Sequence, residues 1–156
     1  MTPAIVHVLA QAAFGAIAAA GFGVLFNFGW KVLAWGSVSG AVALAARTIG
    51  LDLGWTLEGA SLAASALVTT LAVVVLRRHL RISASAIAIA GCIPMIPGAF
   101  FAQALIGTFN LTTAHPVDPT GTLVTSAISG LRVIFTVFAI GAGISIPIHL
   151  LRGRDY

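Results

Sequence analysis

Five apolar runs of roughly 20 residues, the length at which a helix crosses a bilayer, recur along the chain and are parted by short polar or glycine-bearing stretches. They predict spans at about 4–26, 32–51, 55–76, 84–109 and 121–151. Asn27, Gly29 and Trp30 close the first, with Asn27 as a cap, and Asn110 is expected to cap the fourth in the same way. The connection 110–120, with His115-Pro116 and Asp118-Pro119, has the chemistry of a turn. The fifth run is long enough to tilt or to project past the bilayer. The expected fold is therefore an all-α integral membrane protein, one transmembrane domain of about five helices.

The fourth run differs from the others. In the middle of the uncharged stretch 82–114 stands Cys92-Ile93-Pro94-Met95-Ile96-Pro97-Gly98. Each proline lacks an N–H and clashes with the carbonyl one turn earlier, so Ala90 and Ile93 lose the partners of their carbonyls. Lipid cannot supply replacements. Irregular backbone at membrane depth is tolerated only within protein or beside a watery cavity, and broken helices of this kind often hold the solute in transporters. The fourth helix is expected to break here, either as a packing kink or as part of a binding site.

Composition agrees with this reading. Of 156 residues, 59% are hydrophobic and 8% charged, against about 25% charged in soluble domains. The net charge of +4 matters less than its placement. Lys31, Arg77, Arg78, Arg81, Arg152 and Arg154 follow the first, third and fifth spans, and Asp52 and Asp118 occupy the opposite loops. By the positive-inside rule the N-terminus is outside and the C-terminus inside. Trp30, Trp35 and Trp55 lie near span ends, where amphipathic rings are favoured. The N-terminus lacks a basic leader, and its apolar run exceeds a signal-peptide core, so it reads as a retained span. No basic patch is interleaved with aromatics, so nucleic acid is not an expected partner. One cysteine, Cys92, allows no internal disulfide and reads as a small buried apolar residue. The scattered histidines His79, His115 and His149 suggest no metal set. No nucleophile triad, phosphate loop or dinucleotide glycine pattern is present, so neither catalysis nor a cofactor is expected.

The remaining cations, Arg47 and Arg132, fall in the outer half of the membrane, against the overall charge bias. Three helices carry small or polar stripes that reach such an ionisable group. Thr122, Thr125, Ser126, Ser129, Arg132 and Thr136 share one face of the fifth span at helical spacing. Glu58, Ser61, Ser65 and Thr69 do so in the third, and Gly36, Gly40, Ala43 and Arg47 in the second. An intramembrane charge costs about 2.5–3.5 kcal/mol on insertion scales, so it pairs or lines a polar cavity. Glu58 is the one carboxylate inside a span, available as charge partner to either arginine or as a proton site. Two cations to one carboxylate leaves an excess cation. Arg132, Arg47 or both then attract the carboxylate of a small solute, because the planar guanidinium holds a carboxylate through two hydrogen bonds. Ser129, Thr136 and the carbonyls freed around Pro94, Pro97 and Gly98 would contact its other groups. Gln103, one turn beyond the break, can bond freed backbone or solute. His7 and Gln11 share a face of the first span and are weaker candidates.

Taken together, Gly21-Phe22 and Phe26-Asn27 ending the first span, Arg47 closing a glycine-rich second, Pro94-Met95-Ile96-Pro97-Gly98 in the fourth and Ser145-Ile146-Pro147 near a basic C-terminus resemble the threonine/serine exporter family. In length and order the chain is similar to the family's small YjjB-like subunit, and the resemblance covers nearly all of it. It implies a bacterial inner-membrane secondary exporter of small carboxylates, threonine and serine or succinate, working with a larger YjjP-like subunit as a hetero-oligomer. Arg47 and the segment 94–98 carry over from the family pattern; Arg132 and Glu58 match no family motif and rest on spacing. The competing expectations are a structural subunit that stabilises a partner holding the whole pathway, and a homo-oligomeric channel lined by the Ser/Thr stripe of the fifth span.

Overall fold

The computed structural model describes residues 3–76, 84–113 and 118–152. Arg77, Arg78, His79, Arg81, His115, Pro116 and Arg154 lie outside the described residues. All regular structure among the described residues is helical: α1 Pro3–Leu25, α2 Trp30–Asp52, α3 Leu57–Leu71 continued by a π turn Ala72–Leu76, α4 Ala84–Cys92 continued by a 3₁₀ turn Ile93–Met95, α5 Gly98–Thr113 and α6 Pro119–Arg152. Four helices are long and apolar enough to cross a membrane, and α4 with α5 makes a fifth if the broken pair is one span. The sequence places these elements to within a few residues. It stops the fourth span too early, however: α5 runs on to Thr113, so Asn110 lies inside the helix and caps nothing.

Helix ends are closed by the local chemistry of their sequences. Asn27 adopts φ 53° and Gly54 φ 84°, each just past a helix. Asn27 N–H donates to Val24 O and Phe28 N–H to Gly23 O; Gly54 N–H donates to Leu51 O and Trp55 N–H to Gly50 O. Both ends thus form the paired 5→2 and 6→1 bonds of a Schellman motif, which only a residue tolerant of left-handed backbone permits. At the N-termini, the Thr56 hydroxyl accepts from Gly59 N–H at 3.2 Å and the Asp118 carboxylate from Gly121 N–H at 2.9 Å, with Pro119 at the first helical position. Helix α6, 34 residues long, extends about 51 Å at 1.5 Å per residue. It therefore outruns a hydrocarbon layer of about 30 Å and must tilt or project.

The described residues fall into two compact units. In the first, which takes in the chain up to Met95 and the segment from Ala139 onward, α2 is the hub and packs on α1, α3 and α4. Small residues make the contacts. A Cβ on Gly40 would meet Ala19 Cβ at 2.5 Å and run into the Gly15 carbonyl, and one on Gly91 would meet Ser39 Cβ at 2.5 Å. Ala43, Ala64, Val68, Cys92, Met95 and Ile140 form the buried cluster. Large side chains such as Phe14, Ile17, Val24 and Leu25 are the exposed ones. Lipid is as apolar as leucine, so burial gains nothing from large side chains and close backbone approach decides the interface. Gly40→Val is accordingly expected to cost about 1–3 kcal/mol by overpacking, read as a lowered melting temperature and aggregation on gel filtration in detergent.

In the second unit, Ile96–Phe138, α5 and the first half of α6 run antiparallel. Phe100 lies against Arg132, Gln103 against Ser129 and Gly107 against Ser126. A Cβ at Gly107 would collide with the Ser126 hydroxyl, so a larger residue there would force that side chain to turn.

Candidate functional site

The break in the fourth span is built as its prolines dictate. Ile93–Met95 tightens into a 3₁₀ turn, Gly98 N–H reaches back to Ile96 O at 2.8 Å, and Phe101 N–H bonds Pro97 O at 3.1 Å to start α5. The carbonyl of fully buried Met95 points away from this ladder and accepts from Arg47 Nη1 at 2.8 Å. The guanidinium thus does what lipid cannot, because a hydrogen bond to a charged donor is worth about 1.5–3 kcal/mol. That is of the same order as the cost of an arginine inside the membrane. Arg47 is not thereby exhausted: its Nε is buried with no hydrogen-bond partner.

Arg47 also faces a cavity of about 290 Å³ lined by His7, Gln11, Leu44, Thr48, Leu51, Asp52 and Pro94. Thr48 Oγ1 spends its proton on Leu44 O at 2.7 Å. The cavity therefore presents a guanidinium, a carboxylate, an imidazole and an amide around the break. Arg47 and Pro94 come together here as the sequence suggests, and His7 and Gln11 join them. By sequence Asp52 reads as a loop residue at the end of the second span; its place one helical turn beyond Thr48 is the signal that would have found it. Glu58 sits elsewhere, in the first turn of α3 beside its cap Thr56, and is not among the residues lining this cavity.

The other predicted residues gather in the second unit. Ser129 Oγ donates to Gln103 Oε1 at 3.3 Å. The Arg132 guanidinium carbon lies 5.2 Å from the centre of the Phe100 ring, a cation–π contact. Arg132 itself is exposed. Thr136 is fully buried and donates to Arg132 O at 2.7 Å. Pro97 is buried and Gly98 exposed at the start of α5. Toward the other end of this helix pair opens a polar groove of about 550 Å³, lined by Gln103, Ile106, Gly107, Asn110, Asp118, Gly121, Thr122, Thr125 and Ser126. Gln103, Gly107 and Asn110 recur at helical spacing, and Asp118 extends the Ser/Thr stripe by one turn, so the groove's second wall was readable from spacing. Among the described residues no group of three or more His, Cys, Asp or Glu is placed to hold a metal ion.

The family model described as Threonine/Serine exporter, ThrE, matches residues 11–150. The matched segment takes in Arg47, the break at 94–98 and the whole of the polar groove. No solved structure matches the chain.

Proposed function

Because the chain belongs to the threonine/serine exporter family and is a multi-pass membrane protein, we propose that it is the small subunit of a two-part secondary exporter in the bacterial inner membrane. Its larger YjjP-like partner completes the pathway in a hetero-oligomer, and the solute is a small carboxylate, threonine, serine or succinate. The solute carboxylate is drawn to Arg47 beside the broken helix. The observation that carries this reading is the partly committed guanidinium: one nitrogen holds the Met95 carbonyl, the buried Nε has no hydrogen-bond partner, and the residue lines a polar cavity. Arg132, Gln103, Ser129 and Thr136 are assigned to the same solute's passage, and Glu58 to a charge-partner or proton role, on their helical spacing.

Orientation is N-out, C-in over five spans. Cysteines placed at Asp52 and Arg78 should then label from opposite sides of the membrane, with little background from buried Cys92; labelling from one side would overturn the five-span arrangement. The functional test is efflux of preloaded threonine, serine and succinate from cells lacking their own exporters, with this chain alone and with the larger subunit. Export is expected only with both. Export by this chain alone would overturn the two-part exporter and favour a homo-oligomeric channel. The Arg47–Met95 bond also suits a second reading, a purely structural subunit, for which export per partner molecule would be indifferent to Arg47.

A further inference from the structure

The groove in the second unit has a chemical sign that its composition alone does not reveal. A hydroxyl carries one proton, and Thr122, Ser126 and Ser129 along this face have already placed theirs. Thr122 Oγ1 donates to Asp118 O at 2.8 Å, Ser126 Oγ to Thr122 O at 2.7 Å and Ser129 Oγ to Gln103 Oε1 at 3.3 Å. What Thr122 and Ser126 turn toward the groove is therefore lone pairs. Ser126, 7% exposed, lines the groove with its hydroxyl held against Gly107. The start of α6 would ordinarily favour an anion, but three of its first four positions offer no free donor: Pro119 has no N–H, Gly121 N–H is capped by the Asp118 carboxylate, and Thr122 N–H bonds Asp118 O at 3.2 Å. The C-terminal end of antiparallel α5 lies at the same end of the pair, so the two helix dipoles offset each other. That leaves Asp118 as the charge among the described lining residues, none of which is Lys or Arg.

We infer that this groove is a binding site for a monovalent cation, held by the Asp118 carboxylate and the oxygens of Thr122, Thr125, Ser126 and Asn110. Two sources share that chemistry, a free alkali cation and a protonated primary amine. The site stands apart from the export reading; only the arm in which the amine belongs to the exported solute rests on it.

The test uses the full chain purified in nanodiscs at constant ionic strength, with N-methylglucamine chloride as the reference salt. Melting temperature is compared in sodium chloride, potassium chloride, ethylammonium chloride and serine methyl ester hydrochloride. A cation near tenfold above its dissociation constant is expected to raise Tm by about 3–6 °C. Asp118→Asn should abolish that rise while leaving the reference Tm unchanged, because asparagine caps a helix as well as aspartate. Thr125→Val, an exposed change of equal size, should reduce it. A rise with sodium or potassium alone identifies a metal cation, and a rise with ethylammonium and the ester identifies an amine. No rise with any cation, or a rise that survives Asp118→Asn, overturns the site. Loss of export in cells with the cation shift intact would instead count against the exporter reading.

Discussion

Arg47→Met, and to a lesser degree Arg47→Lys, is expected to lower the export rate per assembled complex by roughly ten- to a hundredfold, the equivalent of losing a charged hydrogen bond of about 1.5–3 kcal/mol. On the proposed reading the guanidinium serves one acceptor of the chain and one of the solute. Nη1 is committed to Met95 O at 2.8 Å, and the cavity beside it is open to a carboxylate. Lysine preserves the charge but offers a compact ammonium in place of a planar fork, so it cannot keep the Met95 carbonyl and present a bidentate face to a carboxylate as well. The two variants should therefore differ in kind. Arg47→Lys should raise the half-saturating solute concentration more than it lowers the maximal rate, whereas Arg47→Met should lower both. Quantifying complex in the membrane alongside transport separates this from the structural alternative. If Arg47 only closes the break, Arg47→Met reduces the amount of folded protein and leaves kinetics per molecule unchanged.

The sequence reads well where a single residue type forces the backbone. Asn27 and Gly54 end their helices because the left-handed position suits few others, and Pro94 and Pro97 interrupt theirs because two N–H groups are missing. The small stripe Gly36, Gly40 and Ala43 is buried as its spacing predicts. Face assignment is harder to read, because in a chain surrounded by lipid the outward face is as apolar as the core, and periodicity loses its contrast. Phe100 beside Arg132 illustrates the loss. It is a neighbour fixed by helix rotation, which no spacing rule within one run specifies. The π turn after Leu71 has no proline, glycine or charge to announce it. The two groups of candidate residues were legible as stripes, yet their division into an arginine-centred cavity and an oxygen-lined groove depended on which carbonyl each hydroxyl and guanidinium had already found.

The double substitution Pro94→Ala/Pro97→Ala is expected to raise stability and remove export at once. Proline within a helix costs about 3 kcal/mol or more, and alanine restores N–H donors for the carbonyls of Ala90 and Ile93. Nothing in the segment 84–113 would then oppose a continuous helix, since Gly98 costs only about 1 kcal/mol relative to alanine. In that helix Met95 O would accept from the backbone N–H four residues on, and Arg47 Nη1 would lose its acceptor. An arginine stripped of its one carbonyl partner inside the membrane again carries the penalty of about 2.5–3.5 kcal/mol, which offsets part of the gain. The net expectation is a higher melting temperature with transport near background. Adding Arg47→Leu to the pair should raise it further, because the orphaned charge goes with it. Retained export in the double variant would show that the break is a packing kink. A lowered melting temperature would show that the 3₁₀ turn and its arginine outweigh a regular helix. The order of these three stabilities thus measures how strongly the chain is held to an irregular backbone that only a charged side chain makes tolerable.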